Sequence, residues 1–197
     1  MTRFIFSLLI SLMTLTAYSQ KDVTKFLGIP VDGTKNQMIQ KLKAKGFKSS
    51  YYDKDILEGE FNGSEANIMI QTNNNKVWRI IVSYNNLSEQ NAKTRFNNLC
   101  YQFSKSSKYY SSSSDFTIPD NEDISYEMSV KEKRYEAYFL QRTELDIANN
   151  DWANFLEKSN MDNNKLTWFL IMQNTPLDYS VVIYYENGYN QANGEDL

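Results

Sequence analysis

ANIMIQTNNNKVWRIIVSY, residues Ala66–Tyr84, reads as two strands around a turn. Ala66, Ile68 and Ile70 alternate with Asn67, Met69 and Gln71, the period of two that buries one face of a sheet and wets the other. Asn73-Asn74-Asn75 makes a polar turn, and Trp78, Ile80, Val82 and Tyr84 then share one face. Just upstream, Leu57, Gly59 and Phe61 alternate with Glu58 and Glu60, and Asn62-Gly63 is a strong hairpin turn. Connections this short require antiparallel pairing, because parallel neighbours need crossovers of about a dozen residues.

Helix signals precede this meander and follow it. Thr34-x-x-Gln37 has the form of a capping box, with an apolar stripe of Met38, Ile39 and Leu42 behind it and Gly46 placed to end a helix over Thr34–Lys45. Ser88 is a good N-cap, Glu89 suits the first turn, and Ala92, Phe96, Leu99, Cys100 and Phe103 form the buried stripe of a helix to about Lys105. Beyond it, Ile124, Tyr126, Met128 and Val130 alternate as a strand would, Lys131-Glu132-Lys133 turns, and strands follow at Arg134–Gln141, Leu166–Gln173 and Tyr179–Glu186. The expected fold is α+β, with two helix-then-antiparallel-meander halves, 20–86 and 87–197, and the helices on one face of the sheet. Ile81–Asn86 resembles Val182–Asn187, so a tandem duplication is one explanation. Lys105–Asp115 reads as a serine-rich mobile loop. An insertion spans about 143–165, with Trp152, Phe155 and Leu156 suggesting a short helix.

The 197 residues carry 21 Lys+Arg, 24 Asp+Glu and no His, for a net charge of −3. That balance lacks the basic surface of a nucleic-acid binder. Without His, the Ser-His-Asp and Cys-His nucleophile systems are excluded. The single Cys100 allows neither an intrachain disulfide nor a thiolate zinc site, and its helical spacing makes it a small core residue. The N-terminus reads as an export signal over 1–19, with Arg3 as its positive end, Phe4–Ala17 as its apolar run, and a cut between Ser19 and Gln20. The expected product is periplasmic or secreted, from a Gram-negative bacterium, with no membrane insertion once the signal is removed.

Lys25-Phe26-Leu27-Gly28-Ile29-Pro30-Val31-Asp32-Gly33-Thr34, followed by a capped helix ending Lys45-Gly46-Phe47 and a meander, resembles the β-lactamase-inhibitor-protein-like fold. Small outer-membrane-assembly lipoproteins share that fold. The resemblance covers Asp22–Tyr84 directly and Ser88–Glu186 as a degenerate second copy. It is similar, too, to exported bacterial proteins of unknown function that end as Asn193–Leu197 does. The resemblance implies a non-catalytic module that grips another protein through one sheet face and its loops. The disulfides of the inhibitors and the acylated Cys of the lipoproteins are absent, and no functional residue carries over.

Glu58 and Glu60 would lie on one face of a strand, their Cβ atoms roughly 7 Å apart. Two carboxylates at such a separation could serve glycoside hydrolysis, but only with one pKa raised inside a cleft. Alternation explains the pair as the wet side of a sheet. The spacing around Asp53 and Asp55 lacks the ligands of a calcium loop, and no glycine-rich phosphate loop is present. Adjacent tyrosines are the better reserve, since in each strand pair one member faces out: Tyr51-Tyr52, Tyr109-Tyr110 and Tyr184-Tyr185. Tyr51, Tyr52, Tyr109 and Tyr110 are the candidate binding surface. The expected function is a non-enzymatic, cofactor-free module that binds another envelope protein. A carbohydrate-binding or glycan-processing accessory, using exposed aromatics with Glu58 or Glu60, is the alternative.

Overall fold

The structure is a computed structural model and describes residues 22–113, 115–149, 155 and 165–191. Ser19, Gln20, Trp152, Leu156 and the Asn193–Leu197 tail lie outside the described residues. The chain opens with a small hairpin, β1 (Lys25–Phe26) and β2 (Ile29–Pro30), and then α1 (Lys35–Ala44), β3 (Lys48–Ser49), β4 (Ile56–Phe61), β5 (Ser64–Asn73) and β6 (Lys76–Leu87). The second half runs α2 (Glu89–Lys105), β7 (Tyr109–Tyr110), α3 (Ile124–Lys131), β8 (Glu136–Gln141), α4 (Glu144–Asn149), β9 (Leu166–Thr175) and β10 (Asp178–Glu186), closing with a 3-10 turn at Gly188–Asn190. The fold is α+β, as expected from the alternating helix and meander signals.

Strands β3 to β10 form one antiparallel sheet in the order β3-β4-β5-β6-β10-β9-β8-β7. The strands of each half therefore lie in mirrored order about the β6–β10 pair. Val82 sits opposite Ile183, the residue that matches it when Ile81–Asn86 is laid on Val182–Asn187. An approximate two-fold axis passes between them, which is the geometry a duplicated unit would produce.

Both helix starts are built as their sequences direct. Thr34 Oγ1 accepts from the Gln37 N–H at 3.3 Å and Gln37 Oε1 from the Thr34 N–H at 3.1 Å, so two orphan donors are satisfied reciprocally. Ser88 Oγ accepts from the Asn91 N–H at 3.3 Å. α1 buries Met38 and Leu42, while the longer α2 buries Ala92, Phe96, Leu99, Cys100 and Phe103 on the same side of the sheet. The inward residues of β5 (Ala66, Ile68, Ile70) and of β9 (Thr167, Phe169, Ile171) meet these helices. Phe96, Phe103 and Phe139 pack around Phe169 with ring centroids 5.3, 5.3 and 5.8 Å away. Each such side chain contributes about 1.5–3 kcal/mol on burial. Burial pushes the Cys100 thiol up to about 12, so it is an inert core group. Gly59 is required by close approach, since a Cβ there would stand 2.8 Å from Phe47 Cδ1.

Three expectations are corrected. Ile124–Lys131 is a helix, not a strand. Asp123 accepts from the Tyr126 N–H at 2.8 Å as its N-cap, Glu89 Oε1 accepts from the Ile124 N–H at 3.1 Å, and Glu132 ends it with a left-handed φ of 55°. Ile124 and Met128, four apart, face the core, and Tyr126 and Val130 are exposed. Trp78 does not share the buried face of Ile80, Val82 and Tyr84. A register shift at Gln71/Thr72 opposes Thr72 to Val77, and it is Val77 that is fully buried. Tyr109-Tyr110 does not lie in a serine loop; it is the edge strand β7, paired to Gln141 and Leu140 of β8.

The β1–β2 turn is unusual. Leu27 (φ 51°) and Gly28 (φ 79°) are both left-handed, the requirement of a two-residue type I′ hairpin. A left-handed Leu costs about 1–2 kcal/mol, and its side chain remains 38% exposed.

Candidate functional site

The helices that pack on the central strands, α1 and α2, share one core, which leaves the opposite face of the sheet open among the described residues. Alternation assigns its side chains. Cross-strand pairing aligns Ile56 with Met69, Met69 with Ile81, Ile81 with Tyr184, Tyr184 with Trp168, and Trp168 with Tyr138. One unbroken apolar and aromatic row thus crosses six strands, about 24 Å at the usual strand spacing. Met69 and Tyr138 are 40% and 44% exposed.

The aromatic end of the row is rigid. Trp168 stacks on Tyr184 with centroids 4.3 Å apart and on Tyr138 at 5.7 Å, both nearly parallel. The far side of Tyr184 is covered by the Arg79 guanidinium, 4.9 Å from the ring centroid and 4.1 Å from that of Trp78. Glu186 Oε1 accepts from Arg79 Nη2 at 2.6 Å and from Trp168 Nε1 at 2.7 Å, which locks the orientation of both. Tyr138 donates to Glu136, and burial together with this hydrogen bond pushes its hydroxyl up to about 12. Burial likewise raises Tyr184, with Arg79 opposing it.

These rings stand on edge. Both faces of Trp168 are taken by Tyr184 and Tyr138, and Tyr184 lies between Trp168 and Arg79. A sugar platform needs exposed ring faces, whereas edges suit the aliphatic and aromatic side chains of another protein. The carboxylates of this face are Glu58, Glu60, Glu65, Glu136 and Glu186; Lys48 stands opposite Glu58, Arg79 pairs with Glu186 and Arg134 with Glu136. Glu58 and Glu136 bracket the neighbouring row Asn67–Ser83–Val182–Leu170 at its two ends.

The candidate tyrosines are scattered. Tyr51 and Tyr52, on the loop from β3 to β4, are 92% and 93% exposed and meet each other edge to face at 5.3 Å. Tyr109 is half-buried, its ring 4.4 Å from that of Phe103, and burial raises its hydroxyl. Tyr110 meets Phe155 at 6.1 Å. Of the Tyr184-Tyr185 pair, Tyr184 faces out and Tyr185 is buried. Glu58 and Glu60 are exposed, and alternation sets both on the open face. The row itself escapes sequence reasoning, because its members come from six strands and only register unites them. Among the described residues no group of three carboxylate or thiol side chains could hold a metal ion, and no helix is long and apolar enough to cross a membrane.

Comparison of the chain with protein-family models, with curated proteins and with solved structures finds no match.

Proposed function

We propose that the chain is a non-catalytic binding module of the bacterial envelope, and that its open sheet face receives a protein segment with an apolar stripe and a basic flank. The observation that carries this reading is the locked row Ile56–Met69–Ile81–Tyr184–Trp168–Tyr138 set among carboxylates. A prebuilt, rigid aromatic surface loses little side-chain entropy on binding, and central aromatics dominate interface energies. Acidic surroundings draw a cationic partner and repel an acidic one.

The test is affinity capture from envelope extracts with the 20–197 chain beside two variants, Tyr138→Ala/Trp168→Ala and Tyr51→Ala/Tyr52→Ala. A protein partner should be captured by the chain and by the Tyr51/Tyr52 variant, be lost from the Trp168 variant, and weaken as ionic strength rises. Equal capture by all three would sink the sheet-face reading. Saturable binding on a glycan array without a protein partner would move the assignment to the carbohydrate alternative.

A further inference from the structure

On the helix side of the sheet, two cavities meet at the strained β1–β2 turn. One, of about 370 Å³, is floored by Phe61, Leu99, Phe103 and Tyr185. The other, of about 510 Å³, is bordered by four cations, Lys25, Lys108, Arg142 and Lys165, against two carboxylates, Asp22 and Glu144. Lys165 pairs with Asp22, and Arg142 donates to the Ser107 and Asp146 carbonyls, while Lys25 and Lys108 are exposed at the rim. Leu27 and Tyr109 line both cavities.

Those two residues are the ones that local structure does not explain. Six non-glycine residues adopt left-handed backbone among the described residues, and four of them are Asn, the side chain that tolerates it best. Glu132 closes a helix. Leu27 alone is bulky and apolar, and it is neither buried in the core nor suited to its turn. Backbone strain of this kind is kept where surroundings demand a particular side chain, and what Leu27 faces is the cleft.

Tyr109 is held as firmly. Gln141 Nε2 donates to its oxygen at 3.2 Å, and its hydroxyl shares a hydrogen bond with that of the buried Tyr185. Gln141 is itself fixed to the turn strand, accepting from the Lys25 N–H at 2.6 Å and donating to the Lys25 carbonyl at 2.9 Å. With Gln141 donating to it, the Tyr109 oxygen keeps a proton of its own, and the hydroxyl lines both cavities. The hydroxyl therefore stands as a donor between an apolar hollow and a cationic one.

We propose that the joined cleft binds a small amphipathic carboxylate, its hydrocarbon body lying between Leu27 and the Phe61–Leu99–Phe103 floor and its head accepting from the Tyr109 hydroxyl beside Lys25 and Lys108. This site is separate from the open sheet face and stands independently of the partner proposed there.

Titration calorimetry of the 20–197 chain with decanoate and with decan-1-ol tests it. Decanoate should bind saturably at one site, about tenfold more tightly than the alcohol. Leu27→Asn is the deciding variant because Asn suits the turn: it should raise Tm by about 3 °C while weakening decanoate about tenfold. Tyr109→Phe should weaken decanoate and leave the alcohol unchanged. No saturable binding, equal affinity for acid and alcohol, or undiminished decanoate binding by Leu27→Asn would each overturn the proposal.

Discussion

The β5–β6 and β9–β10 hairpins occupy equivalent places about the two-fold axis, and their two sides have fared differently. Inward, Ala66, Ile68 and Ile70 correspond to Thr167, Phe169 and Ile171, and Ile80, Val82 and Tyr84 to Val181, Ile183 and Tyr185. Outward, Asn67, Met69 and Gln71 correspond to Trp168, Leu170 and Met172, while Ile81 and Ser83 correspond to Val182 and Tyr184. The inward sides match because both press against helices in one core. The outward sides are under no such constraint, and only the second hairpin has become aromatic. Folding does not demand this asymmetry, since the first hairpin holds its place in the same sheet without it.

The sharpest way to break the comparison is to cut the inward sides. Phe169→Ala should cost about 4 kcal/mol and its counterpart Ile68→Ala about 3 kcal/mol, because each leaves a cavity in one shared core. Urea denaturation reads both, and a negligible cost at Ile68 would mean the first half is not integral to that core. Gly59→Ala comes next, at about 2 kcal/mol by overpacking against Phe47, visible as a lowered Tm. The outward sides should respond less and unequally. Trp168→Ala should cost about 1 kcal/mol through lost stacking, and Asn67→Ala less than about 0.5 kcal/mol. In partner binding the same pair should diverge much further, with Trp168→Ala losing tenfold or more and Asn67→Ala almost nothing, as measured by surface plasmon resonance.

The smallest expected effect distinguishes the halves by pH. Where the first half joins β3 to β4 with a short loop, the second inserts the segment around α3. There Glu122 accepts from Lys133 and Tyr135, and these hydrogen bonds hold its carboxyl below the usual carboxylate range. A depressed folded-state pKa contributes stability above the unfolded value and loses it as pH falls through the folded one. Glu122→Gln should therefore be destabilising at pH 7 and become neutral once the pH falls below the depressed folded-state pKa. A penalty that persists in acid would assign the effect to shape rather than charge.

Caps and alternation made most of this architecture readable in advance. Thr34 with Gln37, Ser88, and the alternations of β5 and β9 act within a few residues, and local rules suffice for them. Tyr126-Met128-Val130 misled because period two and a short, half-exposed helix are indistinguishable over seven residues; Asp123 and Glu89, which settle the matter, act through capping and a long-range contact. The bulge that exchanged Trp78 for Val77 depends on the partner strand. The open-face row was the least readable of all. Its aromatic members each sit beside an inward-facing neighbour, and nothing local says that Tyr138, Trp168 and Tyr184 share one register position.

The strand order also governs when the molecule can become whole. The contact that unites the halves joins β6 to β10, the last strand of the sheet to be made. As the chain emerges from its N-terminus, β4, β5 and β6 can pair at once, since their loops are short and their closure costs little entropy. β6 then waits with its long outer edge unpaired while the second half is synthesised, and a long unpaired edge recruits other strands. The helix α1, made before the meander, already covers part of the apolar side of that intermediate, and α2, which follows β6 directly, is the next element to shelter it. Until β10 closes the seam, the nascent chain's hazard is intermolecular, and its time of exposure is set by the translation of the second half.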